Sequence, residues 1–145
     1  MTIEIFNNQK KFKIPKAKIK SITLKFLKHL NIDKNCILTV TFVSQAKIKQ
    51  LNRKYFKKSG DTDVIALESG DFKNKALNNY LGDIIISPEK AKQNCRRFGT
   101  TPERELFLYV AHGLLHLLGY DDLKKKNRMK MERKQQKLLD LYGKN

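Results

Sequence analysis

The sequence predicts a single α+β domain over residues 1–145, with about four strands packed with helices around one central apolar helix. Three observations lead there. Short strand-like runs of apolar residues are interleaved with longer segments whose apolar residues recur every three or four positions. One of those longer segments, opening at Thr101-Pro102, is apolar around most of its circumference, which places it inside the fold. Finally, no repeat, linker or low-complexity stretch divides the chain, and 145 residues suffice to bury a core without disulfides or a structural metal.

Each element has its own signal. Thr2-Ile3-Glu4-Ile5-Phe6 alternates as a half-buried strand does, and Asn7-Asn8 ends it. Pro15 opens a helix with Ile19, Ile22, Phe26 and Leu30 inward and lysines outward; His29, without a partner at ligand spacing, is a solvated surface residue. Cys36 to Val43 is a strand with Leu38, Val40 and Phe42 on one face and Ile37, Thr39, Thr41 and Val43 on the other. Ser44 caps a helix whose buried stripe is Ile48, Leu51 and Tyr55. A loop follows at Lys57 to Asp61, then a short strand from Thr62 to Leu67 and a polar connection from Ser69 to Asn79. Leu81 to Ile86 is a continuous apolar run, as in a strand covered on both faces. Ser87-Pro88-Glu89 and Thr101-Pro102-Glu103 each start a helix with a capping hydroxyl, proline at the first helical position and an acid favoured by the dipole. The last helix runs from Leu123 to Tyr142, with Leu123, Met131, Leu138 and Tyr142 inward and a basic face outward.

Composition narrows the class of partner. The net charge is +17, from 31 basic and 14 acidic residues, and such a field attracts polyanions, of which nucleic acid is the usual one. Heat adaptation is the plain alternative, but it enriches lysine and glutamate together, and acids are scarce here. Cys36 and Cys95 lack metal-ligand spacing and read as reduced structural residues. No signal-peptide pattern opens the chain and no apolar run reaches membrane-spanning length, so the expectation is a cytoplasmic protein with no membrane contact.

The chemistry concentrates in Ala111-His112-Gly113-Leu114-Leu115-His116-Leu117-Leu118-Gly119-Tyr120-Asp121-Asp122. Residues four apart on a helix share a face, so both imidazoles can reach one ion. Gly119 sits where a helix ends in a left-handed residue, which swings Asp121 or Asp122 back toward the histidines. The expected metal ligands are His112, His116 and Asp122. Asp122 also has an ordinary reading as N-cap of the last helix.

Two histidines and one carboxylate leave a position for water, and hydrolysis is the natural use. The spacing His-x-x-x-His-x-x-Gly-x-x-Asp is that of metzincin-type metalloproteases, in which a glutamate after the first histidine is the general base. Gly113 occupies that place, so peptide hydrolysis lacks its proton acceptor.

His112-Gly113-x-Leu115-His116-Leu117-x-Gly119-Tyr120-Asp121 closely resembles the signature of the YbeY-type endoribonucleases, bacterial proteins of rRNA maturation. Leu51-Asn52-Arg53-x-Tyr55, Thr62-Asp63-Val64 and Gly82-Asp83-Ile84 resemble that family's other segments. The resemblance implies a zinc-like metal, single-strand-specific RNA cleavage, and a role in maturing the 3′ end of small-subunit rRNA. It implies as partners single-stranded RNA, the small ribosomal subunit and assembly proteins.

Two residues depart from the family's pattern. Asp122 stands where it usually has a third histidine, and this harder donor loosens a preference for Zn2+ toward Mn2+ or Ni2+. Phe56 stands where the family commonly has an arginine, leaving Lys57 or Lys58 as the substrate-binding charge. Asp63, Asp83 and Asp121 are candidate supporting groups or bases. The non-enzymatic alternative is an rRNA-binding assembly factor.

Overall fold

The computed structural model describes residues 1–57, 62–68 and 79–143. Its elements are β1 (Thr2–Asn7), α1 (Lys16–His29), β2 (Ile37–Phe42), α2 (Gln45–Phe56), β3 (Val64–Glu68), β4 (Tyr80–Ile86), α3 (Pro88–Phe98), α4 (Pro102–Leu117) and α5 (Lys125–Gly143). The four strands form one mixed sheet in the order β1-β2-β4-β3. β1 and β4 each run parallel to β2, whereas β3 pairs antiparallel with β4. The α+β class expected from the sequence is the class observed.

Strand alternation sorts the sheet's two faces. Leu38, Val40, Phe42, Ile84 and Ile86 join the main core, shared with Phe26 of α1, Leu114 and Leu115 of α4 and Met131 and Leu138 of α5. On the opposite face, Val43, Ile65 and Ile85 form a smaller cluster with Ile48 of α2. α4 is central as predicted: ten of its residues are buried, among them Leu106, Phe107 and Val110. Both cysteines are buried and free, and His29 is exposed.

The start of α4 follows its sequence signal, since the Thr101 hydroxyl accepts from Arg104 N at 3.1 Å. Ser44 likewise accepts from Lys47 N. Ser87 does not cap α3. Its buried hydroxyl donates instead to Gln45 Oε1 at 2.7 Å, tying the end of β4 to the start of α2. Tyr55, expected in the buried stripe of α2, is 51% exposed, because the small cluster beneath that helix ends at Leu51 and Asn52 is the next inward residue. Leu123 is also exposed, at 82%: α5 begins only at Lys125, so Leu123 lies in the preceding turn, out of phase with Met131. β3 starts two residues later than expected, at Val64. Of the expected loop at 57–61 and connection at 69–79, residues 58–61 and 69–78 lie outside the described residues.

Candidate metal centre

The last turns of α4 carry His112 and His116, one above the other, with ring centroids 4.6 Å apart. The helix then stops in a Schellman turn: Tyr120 N donates to Leu115 O and Gly119 N to His116 O. Gly119 adopts φ +95°, which a residue with a Cβ rarely takes. This reversal returns the chain over the end of the helix. Asp122 Oδ2 comes to 3.7 Å from His112 Nε2 and 3.6 Å from His116 Nε2, while the two Nε2 atoms lie 3.1 Å apart.

Hydrogen bonds set what these atoms present. His116 Nδ1 lies 3.1 Å from the Tyr120 carbonyl, which can only accept, so that nitrogen carries the proton. His112 Nδ1 lies 2.8 Å from Gln135 Oε1 on α5 and donates to it in the same way. Both Nε2 atoms are then unprotonated and face each other and a carboxylate. Three acceptors with no donor among them repel one another unless a cation stands between them. Donors 2.0–2.2 Å from a tetrahedral ion are about 3.4 Å apart, close to the spacings observed, and the three groups could hold such an ion. Burial, followed by the neighbouring His112, pushes the His116 pKa below its ordinary value, keeping that ring neutral, as a ligand must be.

Gly113 turns toward the sheet. A Cβ there would lie 2.7 Å from Ile84 Cγ2 and 3.3 Å from Val64 Cγ2, so the glycine lets α4 settle directly onto β4 and β3. The position that holds the zincin glutamate thus has no room for a side chain. Beside the three groups opens a cleft of about 560 Å³, lined by Asn52 and Phe56 of α2, by residues 62–66 and Glu68 along β3, and by His112, Gly113, His116 and Asp122.

The other expected residues separate. Asp63 lines the cleft. Asp121 points away and accepts from Leu123 N and Asn127 Nδ2, so Asp121, not Asp122, makes the turn bonds before α5. Asp83 bonds with the Tyr80 hydroxyl and alternates with Ile84, which places it on the sheet face opposite α4. Lys57 ends α2 in a left-handed conformation and is exposed, outside the lining of the cleft; Lys58 lies outside the described residues. Gln135 and the Tyr120 carbonyl went unforeseen. Gln135 sits among lysines on a distant helix with no spacing rule to mark it, but the carbonyl follows from the glycine-terminated turn.

A profile of the family described as Endoribonuclease YbeY matches residues 4–143. The chain belongs to this family. It is 35% identical to Endoribonuclease YbeY of Caldicellulosiruptor saccharolyticus, covering 99% of this chain and 98% of that one. The Listeria innocua protein of the same name is 40% identical, over 79% of this chain and 78% of its own. Among solved structures, the fold is similar to the solution structure of a Thermotoga maritima protein, with a TM-score of 0.61 and 28% identity over 96% of this chain and 87% of that one.

Proposed function

We propose that this chain is a metal-dependent, single-strand-specific endoribonuclease acting in maturation of the small-subunit rRNA 3′ end, with His112, His116 and Asp122 as its metal ligands. The observation that carries this reading is the convergence of three acceptor atoms, within 4.8 Å of one another, beside an open cleft in a YbeY-family chain. Zn2+ suits two imidazoles and a carboxylate, and the carboxylate also admits Mn2+ or Ni2+. A bound divalent ion supplies Lewis acidity to a water and to a phosphoryl oxygen. The chain's own residues do the rest. Tyr120 O and Gln135 orient the rings, Asp63 on the cleft wall is the candidate base, and the exposed Lys57, with Lys58, is the candidate charge for the substrate's phosphates. The partners are single-stranded rRNA, the small ribosomal subunit and its assembly proteins, in the cytoplasm. No helix among the described residues is long and apolar enough to cross a membrane.

Gly113, packed against Ile84, argues against peptide hydrolysis, since the residue that follows His112 in the chain carries no carboxylate to act as the zincin base. Phe56 in the cleft favours a second reading, an assembly factor that binds rRNA without cutting it. Incubating the protein with labelled rRNA 3′ fragments and with casein, with and without chelator, separates the readings. Chelator-sensitive RNA cleavage with intact casein is the expected result. RNA binding without cleavage would favour the assembly factor, and chelator-sensitive proteolysis alone would overturn both.

A further inference from the structure

Among the described residues β3 is the edge strand of the sheet, and the side turned away from β4 faces the cleft. Ser87 N donates to the Asp63 carbonyl at 3.1 Å, which makes Asp63 and Ser87 a hydrogen-bonded pair. Antiparallel alternation then turns the N–H and C=O of Ile65 and Leu67 toward β4, and those of Val64, Ala66 and Glu68 outward. The Thr62 hydroxyl, 3.2 Å from the Val64 carbonyl, takes up one of these outward groups. Among the described residues none bonds to the N–H or C=O of Ala66 on its open side. The cleft is bordered by Asn52 and Phe56 from the helix on one sheet face and by His112 and Gly113 from the helix on the other, so it runs along the edge itself. Phe56, on its wall, is 43% exposed.

We propose that the β3 edge is a nucleobase subsite, in which one base of the single-stranded RNA packs against Phe56 and hydrogen-bonds its edge to the backbone N–H and C=O of Ala66. This rests on the nuclease reading and adds what the cleft recognises. An extended residue presents an adjacent donor and acceptor on one side of the strand, the arrangement an unstacked base meets with its own edge. An aromatic wall receives the base's flat face. A peptide could also add to an edge strand, but it needs a continuous ladder, and Thr62 already occupies the Val64 carbonyl. With the Val64 carbonyl taken, the short open run suits a base better, and the charge of +17 favours the polyanion.

The test is a set of short 2′-O-methyl RNA oligonucleotides, each with one abasic position, whose Kd is measured by fluorescence anisotropy. In the wild type, one position should cost about 5- to 150-fold in affinity, the range of a lost base–aromatic stack. Phe56→Leu and Ala66→Pro should each flatten that peak. The proline removes only an outward N–H, so the ladder with β4 is kept. Ala66→Ser, which retains the N–H, should keep the peak. Circular dichroism checks folding; were the proline variant unfolded, the Phe56→Leu profile and the NMR shift of the Ala66 amide on RNA titration decide. A flat profile in a wild type that binds unmodified RNA overturns the subsite alone, as does a peak that survives in both variants. Failure to bind unmodified RNA overturns the nuclease reading with it. An Ala66 amide that responds to an extended peptide and not to RNA replaces the base with a peptide.

Discussion

Gln135 Oε1 accepts a hydrogen bond from His112 Nδ1 at 2.8 Å, across the contact between α5 and α4. The bond fixes which imidazole nitrogen carries the proton and which way the other one points. Removing such a support costs about 10- to 100-fold in metal affinity. Gln135→Ala should show that loss in a competition titration while its circular dichroism stays native. Gln135→Glu, a stronger acceptor, should bind at least as tightly as wild type. Equal affinity in Gln135→Ala would mean that ring orientation is set elsewhere.

Asp122 and Asp121 are adjacent but face different tasks. Asp122→Asn should lose most metal affinity with an apo stability change below about 0.5 kcal/mol, because Asp121 makes the turn bonds before α5 and no backbone N–H of a described residue bonds to Asp122. Asp121→Asn should keep metal affinity. Asp122→His should shift selectivity toward Zn2+. Metal titration beside urea denaturation of the apo forms decides, and a larger metal loss in Asp121→Asn would reverse the assignment.

These two aspartates mark where sequence reasoning reached and where it stopped. Helical spacing put His112 and His116 on one face, and the glycine stop brought one of the two following carboxylates back to them; both inferences need only local geometry. Local geometry could not choose between Asp122 as ligand and Asp122 as cap, since that depends on where α5 starts. Leu123 failed for the same reason: the helical phase was extended two residues beyond the helix. Tyr55 failed differently, because its burial depends on what lies beneath the last turn of α2. Gln135 was illegible, being joined to His112 only through tertiary packing.

Gly113 is a packing requirement. Gly113→Ala would place a methyl 2.7 Å from Ile84 Cγ2, forcing α4 off the sheet or Ile84 into another rotamer. The expected loss is about 1–3 kcal/mol by urea denaturation, despite alanine's higher helix propensity. Pairing it with Ile84→Val should recover part of that loss. A stabilised single variant would show that the contact yields freely.

Stability without metal should depend on pH through His116. Its pKa is lowered in the fold, by burial and then by His112, so the unfolded chain takes up the proton first as pH falls past about 6.5. Above that value both states are neutral and the group contributes nothing. Below it, apo stability should decline until the folded ring also protonates. Urea midpoints in chelator between pH 5 and 8 measure this decline, and His116→Gln should remove that part of the slope. An unchanged slope would assign it to other groups.

Lys130, Arg133, Lys134 and Lys137 line a groove of about 530 Å³ with Tyr120. No carboxylate of a described residue lies within 4.0 Å of these four cations. If RNA follows them, affinity should fall steeply with salt, and each phosphate left without its cation should reduce the log–log slope by about 0.7. Lys130→Gln with Lys134→Gln should therefore flatten the slope by about 1.4. An unchanged slope would place the RNA elsewhere.

If His112, His116 and Asp122 hold an ion, the turn at Gly119 makes the C-terminal helix part of that site's thermodynamics. On one side of it stand two imidazoles; on the other are Asp122 and, further along the chain, Gln135. An ion gripped by both sides cannot leave its partners in place while α5 swings away, so release of the ion and detachment of the helix are linked. At a free metal concentration one hundred times the Kd, that linkage would raise the free energy of detachment by about 2.7 kcal/mol. Amide exchange along α5 would then serve as a gauge of metal supply, slow in the loaded protein and faster in the starved one. A protease that attacks detached helices would remove the starved molecules first.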